Sequence, residues 1–227
     1  MRTAIVSDIH GNFAPFEAVL ADIESQAPDR VVFGGDLVFL GPRAAECLDR
    51  VRELGWPGVI GNTDRILSDP ESAPEPLREF LKPRIDRCRE QLGEDRLAWL
   101  DRLSMEWRDG SSLAIVHAVP GDLWPVVFED TEAALAQSTY GPLGAEVVAY
   151  GHIHRPYVRR MDGFLLANSG SVGAPHDGDP RASYLLLEDG VPTVRRVEYD
   201  RERELADLAA AGMPPGRSLA EITFRPR

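Results

Sequence analysis

Seven side chains carry donor atoms suited to binding cations: Asp8-x-His10, Asp36, Asn62, His117 and His152-x-His154. Each group follows a short apolar or β-branched run, and side chains just past the C-terminal ends of strands in an α/β sheet converge on a common crevice. Donors from five loops far apart in the chain can therefore meet at one place. Two carboxylates, one amide oxygen and four imidazoles suit borderline dications such as Mn, Fe, Co, Ni or Zn better than an all-oxygen Mg or Ca cage. Taken singly, each has an ordinary explanation: Asp-x-His is common, Gly-Asp after a strand is a usual turn, and a lone His is most often structural. Jointly, on a strand-by-strand schedule, they predict a metal centre. Gly11, Gly35, Gly61 and Gly151 accompany the donors, as expected where backbone turns sharply or approaches a bound group.

The elements that must position these donors can be read from periodicity. Thr3 to Val6 reads as a strand, and Phe16, Val19, Leu20 and Ile23 lie at helical spacing after it. The unit repeats with a strand at Arg30 to Phe33 and a helix at Ala44 to Leu54, and Gly58 to Ile60 supplies a third strand. This alternation predicts parallel β-α-β units. Glu75 to Leu103 reads as two helices, so the chain is expected to form one domain over residues 1–227 with a helical insertion at about 66–110. Further strands are expected at Leu113 to Val116, Glu146 to Tyr150, Tyr157 to Arg160, Phe164 to Leu166, Ser183 to Leu187 and Thr193 to Tyr199. Asp162-Gly163 and Asp189-Gly190 mark hairpins. A helix over Arg201 to Ala211 and a tail containing Pro and Gly complete the reading.

Composition narrows the function. Hydrophobic residues at 43% and charged residues at 27% of 227 residues are ordinary for a globular enzyme. A net charge of -12 would repel a phosphate backbone, which argues against duplex nucleic acid as a partner. No stretch approaches the roughly 18 apolar residues of a membrane span, and the N-terminal run meets Asp8 and His10 too early for a secretory signal. A cytoplasmic protein without a membrane partner is the expectation. Cys47 and Cys88 lie in helical patterns and read as buried, inert thiols. Oligomeric state is left open.

Asp8-x-His10, Gly35-Asp36, Gly61-Asn62-x-Asp64, His117 and Gly151-His152-x-His154 resemble, in content and order, the signature of the calcineurin-like metallophosphoesterases. Asn168 to Gly173 and Asp177 to Arg181 resemble the closing loop and strand of its small bacterial members. The resemblance implies an α/β (α+β) four-layer αββα sandwich of two mixed β-sheets. It implies two divalent metal ions, with manganese favoured. Asp8, His10, Asp36 and His154 would hold one, and Asp36, Asn62, His117 and His152 the other, with Asp36 as the bridge. A bridging hydroxide would then attack a small phosphodiester or phosphomonoester, nucleotides included. Asp36, Asn62, Asp64 and His176 are the residues assigned to catalysis.

Two departures bear on activity. Many family members have His where this chain has Thr63, and that His assists the phosphoryl group or leaving oxygen; His176 is the remaining candidate acid among five histidines. The Asp36 segment also lacks the phosphate-binding Arg of protein Ser/Thr phosphatases, leaving Arg43, Arg65 and Arg181 as substitutes, with Arg181 preferred. Thr63 is the best argument for the alternative, a catalytically weak metal-binding scaffold of the same fold.

Overall fold

The computed structural model describes residues 1–213; the expected Pro/Gly tail lies outside the described residues. The first sheet has the order β2-β1-β8-β9, built from β1 (Arg2–Val6), β2 (Arg30–Phe33), β8 (Ala182–Glu188) and β9 (Val191–Val197). The second has the order β3-β4-β5-β7-β6, built from β3 (Glu106–Asp109), β4 (Leu113–Val116), β5 (Val147–Tyr150), β6 (Tyr157–Arg160) and β7 (Leu165–Asn168). Both are mixed. Strand β1 pairs parallel with β2 and antiparallel with β8; β5 lies parallel to β4 and β7, while β3 and β6 form antiparallel edges.

Period-two alternation sorts side chains into layers. Ile5, Leu185 and Leu187 of the first sheet meet Leu113, Ile115, Val147 and Ala149 of the second in one buried cluster between the sheets. The intervening residues face outward. Ala4, Val6, Tyr184 and Leu186 pack with helices α1 (Phe13–Gln26), α2 (Ala44–Leu54) and α4 (Leu77–Asp101). Ala114, Val116, Val148 and Tyr150 pack with α5 (Ala133–Tyr140) and the loop before it. Three cores separating two sheets and two helical layers constitute the αββα sandwich.

Differences from the sequence reading are local. Gly58 to Ile60 is not a ladder strand: Gly58 and Val59 make only single bridges, to Phe33 and Ser104. Pro57 has no N–H to offer, and α3 (Asn62–Ser68) starts almost at once. The span read as two helices is borne out: α4 consists of two helical stretches separated at Gly93, where φ is 73° and ψ 168°. Strand β3 falls inside the stretch read as helical, its charged Glu-Trp-Arg-Asp sequence disguising an edge strand. Helix α5 has no counterpart in the reading. The chain continues through β9 into α6 (Arg201–Ala210). Cys47 and Cys88 are buried free thiols. No helix among the described residues is long and apolar enough to cross a membrane.

Candidate metal centre

The donors sit where the strands stop. Asp8 and His10 follow β1, Asp36 follows β2, His117 follows β4, and His152 and His154 follow β5, while Asn62 opens α3. To swing back over the strand ends the backbone turns left-handed at Asp8 (φ 56°), His10 (53°), Asp36 (54°), His152 (67°) and His154 (57°). Asp and His tolerate this region better than most residues, yet strain of this kind persists only where surrounding contacts over-determine it. Those contacts join the loops to one another. The Asp8 amide donates to Gly35 O at 3.0 Å, His10 N to Asp36 O at 2.9 Å, Gly151 N to His117 O at 3.0 Å and Gly173 N to Asp8 O at 3.0 Å. Glycine is obligatory at two of these crossings. A Cβ on Gly61 would lie 2.0 Å from Asp36 Oδ1, and one on Gly151 would lie 2.4 Å from Asp8 Oδ2.

Two groups of donors result. The facing atoms of Asp8, His10, Asp36 and His154, all buried, lie within 4.8 Å of one another. His154 Nε2 is 3.0 Å from His10 Nε2 and 3.1 Å from Asp8 Oδ1. In the other group, Asn62 Oδ1 is 2.9 Å from His117 Nε2 and 3.1 Å from His152 Nδ1. Asp36 Oδ2 belongs to both, 3.6 Å from His10 Nε2 and 3.5 Å from His117 Nε2.

The arrangement around these atoms fits cation binding. His117 Nδ1 donates to Gly34 O at 2.8 Å, His154 Nδ1 to Ala174 O at 2.6 Å, and His152 Nε2 to Trp124 O at 3.3 Å. A carbonyl can only accept, so in the neutral form of each ring the other nitrogen turns its lone pair to the centre, the pattern that orients metal-binding imidazoles. The carboxylates follow the same logic. Asp8 Oδ2 accepts from Ser7 Oγ at 2.6 Å and Asp36 Oδ1 from Thr63 N at 2.8 Å, leaving one oxygen of each to face inward.

Electrostatics favour anionic carboxylates here. Burial alone would raise the Asp36 carboxyl, but His117, His10 and His152 outweigh it and hold it far below the usual range. Asp8 is lowered against burial mainly by His154. Burial pushes His10 and His152 down to about 4, so both are neutral ligands near pH 7. His117 is the exception: burial opposes its charge, but Asp36 raises it to about 9.

The remaining predicted residues lie around the donors. Thr63 turns its hydroxyl away, donating to Val38 O at 3.1 Å. Asp64 accepts from the amides of Leu37 (2.9 Å), Val38 (3.2 Å) and Gly61 (3.2 Å), clamping the Asp36 loop to the start of α3. Burial and the Asp36 charge raise its pKa to about 7. His176 stacks on His154 with ring centroids 4.3 Å apart. Burial, then His154 and His10, push it down to about 3, so it is a neutral imidazole at physiological pH. Each substitute arginine is held by a carboxylate: Arg43 by Glu46 at 3.1 Å, Arg65 by Asp101 at 2.9 Å and Arg181 by Asp179 at 2.7 Å.

Sequence reasoning passed over Ser7 and gave no individual role to Asn168 and Ser171 of the closing loop. Ser7 fixes Asp8, and Ser171 Oγ donates to Asp8 O at 2.8 Å. Asn168 Nδ2 donates to Gly151 O at 2.6 Å, holding the His152 loop. A Ser beside a ligand Asp was the available signal for Ser7. The Trp124 carbonyl left no signal, since any residue supplies one.

Comparison with known proteins agrees with this geometry. The family model for the calcineurin-like phosphoesterase superfamily domain matches residues 1–189. An uncharacterized protein of Methanocaldococcus jannaschii is 29% identical over 233 residues, covering 93% of each chain. The crystal structure of a metallophosphoesterase from Sphaerobacter thermophilus shares 31% identity, covering 94% of this chain and 95% of that one, with a TM-score of 0.80. That of a hypothetical protein from Pyrococcus horikoshii shares the fold at 18% identity, with a TM-score of 0.82 and 94% of each chain covered. The chain belongs to the calcineurin-like phosphoesterase superfamily.

Proposed function

We propose that this protein is a dinuclear metal-dependent phosphoesterase acting in the cytoplasm on small phosphodiesters or phosphomonoesters, as one domain interrupted by the helical segment between Ile66 and Gly110. The observation that carries the reading is the position of Asp36 Oδ2, within 3.6 Å of His10 and 3.5 Å of His117. A carboxylate oxygen shared by two donor groups is what holding two cations about 3.5–4 Å apart requires. When bound, such a pair, with manganese preferred, supplies Lewis-acid activation of a phosphoryl group and brings the pKa of water toward neutrality.

The chain's own residues supply placement. Asp8, His10 and His154 with Asp36 form one half of the cradle; Asn62, His117 and His152 with Asp36 form the other. Asp64 acts through the backbone, keeping Asp36 and Asn62 in register. His176, neutral and next to His154, would hydrogen-bond a phosphoryl oxygen or leaving group rather than hold a proton in reserve. Without a charged acid at Thr63 or His176, esters with good leaving groups are the favoured substrates, since general-acid assistance is worth about 10²–10⁴ in rate.

Thr63 also supports the second reading, a metal-binding scaffold of low activity, because its hydroxyl is engaged by Val38 O. Hydrolysis of bis-p-nitrophenyl phosphate and p-nitrophenyl phosphate by chelator-stripped protein, with Mn restored, separates the two. Mn-dependent turnover that falls at least about 10³-fold in Asp36→Asn supports the enzyme. Absence of turnover with Mn, Fe, Co, Ni and Zn supports the scaffold.

A further inference from the structure

Arg155 differs from the arginines that the sequence offered as phosphate ligands. It directly follows His154 and is exposed. Among the described residues its guanidinium makes no ion pair, and its contact is the Phe128 ring, with Cζ 5.7 Å from the centroid. Arg43, Arg65 and Arg181, by contrast, are each held by a carboxylate.

The backbone on both sides of this contact is held by hydrogen bonds. Phe128 sits on a closed turn: its amide donates to Thr131 Oγ1 at 2.9 Å, and the Thr131 amide returns to Phe128 O at 3.1 Å. The neighbouring Val127 carbonyl accepts from the buried Tyr150 hydroxyl at 2.6 Å. Arg155 itself lies between His154, anchored on Ala174 O, and Pro156. The His154 carbonyl accepts from His176 N at 3.0 Å, and His176 Nε2 is a buried atom without a hydrogen-bond partner. Guanidinium and imidazole thus share the His154 side of the centre. The guanidinium lies over the Phe128 ring and, among the described residues, makes no hydrogen bond or ion pair to the metal donors.

We infer that Arg155, with His176 beside it, forms an anion subsite for a second phosphate group attached to the one under attack. The substrate class is then a phosphoanhydride-containing ester such as a nucleoside polyphosphate. A guanidinium's planar fork matches phosphate oxygens, and its seat on the Phe128 ring, unbonded to the donors, suits the neighbouring group rather than the phosphoryl between the donors. This inference rests on the phosphate-ester reading of the centre.

Calorimetric titration of the Mn-loaded protein with inorganic pyrophosphate and with inorganic phosphate tests it without turnover. The expected result is that Arg155→Ala weakens pyrophosphate by about 10–100-fold and phosphate far less, with Arg155→Lys intermediate because charge survives and the fork is lost. Manganese titration of each variant checks that the centre is intact. Equal changes for the two anions, or no change in either, overturn the subsite. Pyrophosphate selectivity that depends on Arg155 in a protein with no hydrolytic activity would keep the subsite and sink the hydrolase; turnover without that dependence would do the reverse.

Discussion

His117 shows how one side chain links protonation to metal uptake. Its pKa of about 9 arises because Asp36 outweighs burial. Below pH 9 the ring therefore holds a proton that must leave before Nε2 can bind a cation. The sign follows: manganese affinity should rise as pH increases from 6 toward 9 and flatten above it. At pH 7, uptake should release about one proton, measurable by calorimetry in buffers of different ionisation enthalpy. His117→Gln should abolish most of this release; an unchanged release would place the proton elsewhere. Asp22 illustrates the opposite sign, away from the centre. Its carboxyl is lowered from 3.8 by Arg195 and Tyr184 against the burial that opposes them. The stability it contributes is thus present above pH 3.8 and lost as pH falls through the lower folded value. Asp22→Asn should melt about 1–3 °C lower at pH 7 and converge with the parent as pH falls below the lowered folded value, as expected of a partly exposed pair.

At the scale of elements, the centre depends on strand ends and on the clamps between their loops. Asp64 ties the loop after β2 to the first turn of α3 through three amides. Asp64→Ala would leave those amides without their acceptor in a buried place, a loss of about 3 kcal/mol and 6–12 °C in melting temperature. Manganese affinity should fall with it, whereas a purely local loss of stability would leave that affinity unchanged. Arg84 of α4 makes a comparable clamp, donating to Leu40 O at 2.6 Å and covering the Phe39 ring at 5.3 Å. Phe39 has φ of 103°, an unusual value for a bulky residue. The helical segment thereby helps hold the strained stretch that follows Asp36.

For the whole molecule, a centre assembled from five loops exists only in the folded chain, so cations that bind it stabilise the fold by mass action. Manganese at about 100 times its dissociation constant should add roughly 2.7 kcal/mol per site. For a domain of this size, that raises the melting temperature by about 5–11 °C, and chelator should reverse it. Asp36→Asn should blunt the shift; a full shift in that variant would mean that the metal binds elsewhere. The inter-sheet core responds differently. Ile115 is fully buried between the sheets, and Ile115→Ala should cost about 2–5 kcal/mol with or without manganese.

The identity and order of the donors were legible in the amino-acid sequence because each group follows a short apolar or β-branched run, most with a glycine alongside. The strands β1, β2, β4 and β6 and the helix α2 were equally legible, since period-two and period-3.6 patterns are local. What the sequence could not determine was everything set by distance through space. Gly58 to Ile60 looked like a strand but lacks a ladder, because pairing depends on its neighbours and not on its own residues. Thr63 was recognised as a departure, yet only the fold showed its hydroxyl turned to Val38 O. Arg181 was preferred as the phosphate ligand, but Asp179 holds it, while Arg155 is left unpaired beside Phe128. A charged side chain's partners are chosen among groups brought near by folding, so residue type names the candidates and tertiary structure decides which of them remain available.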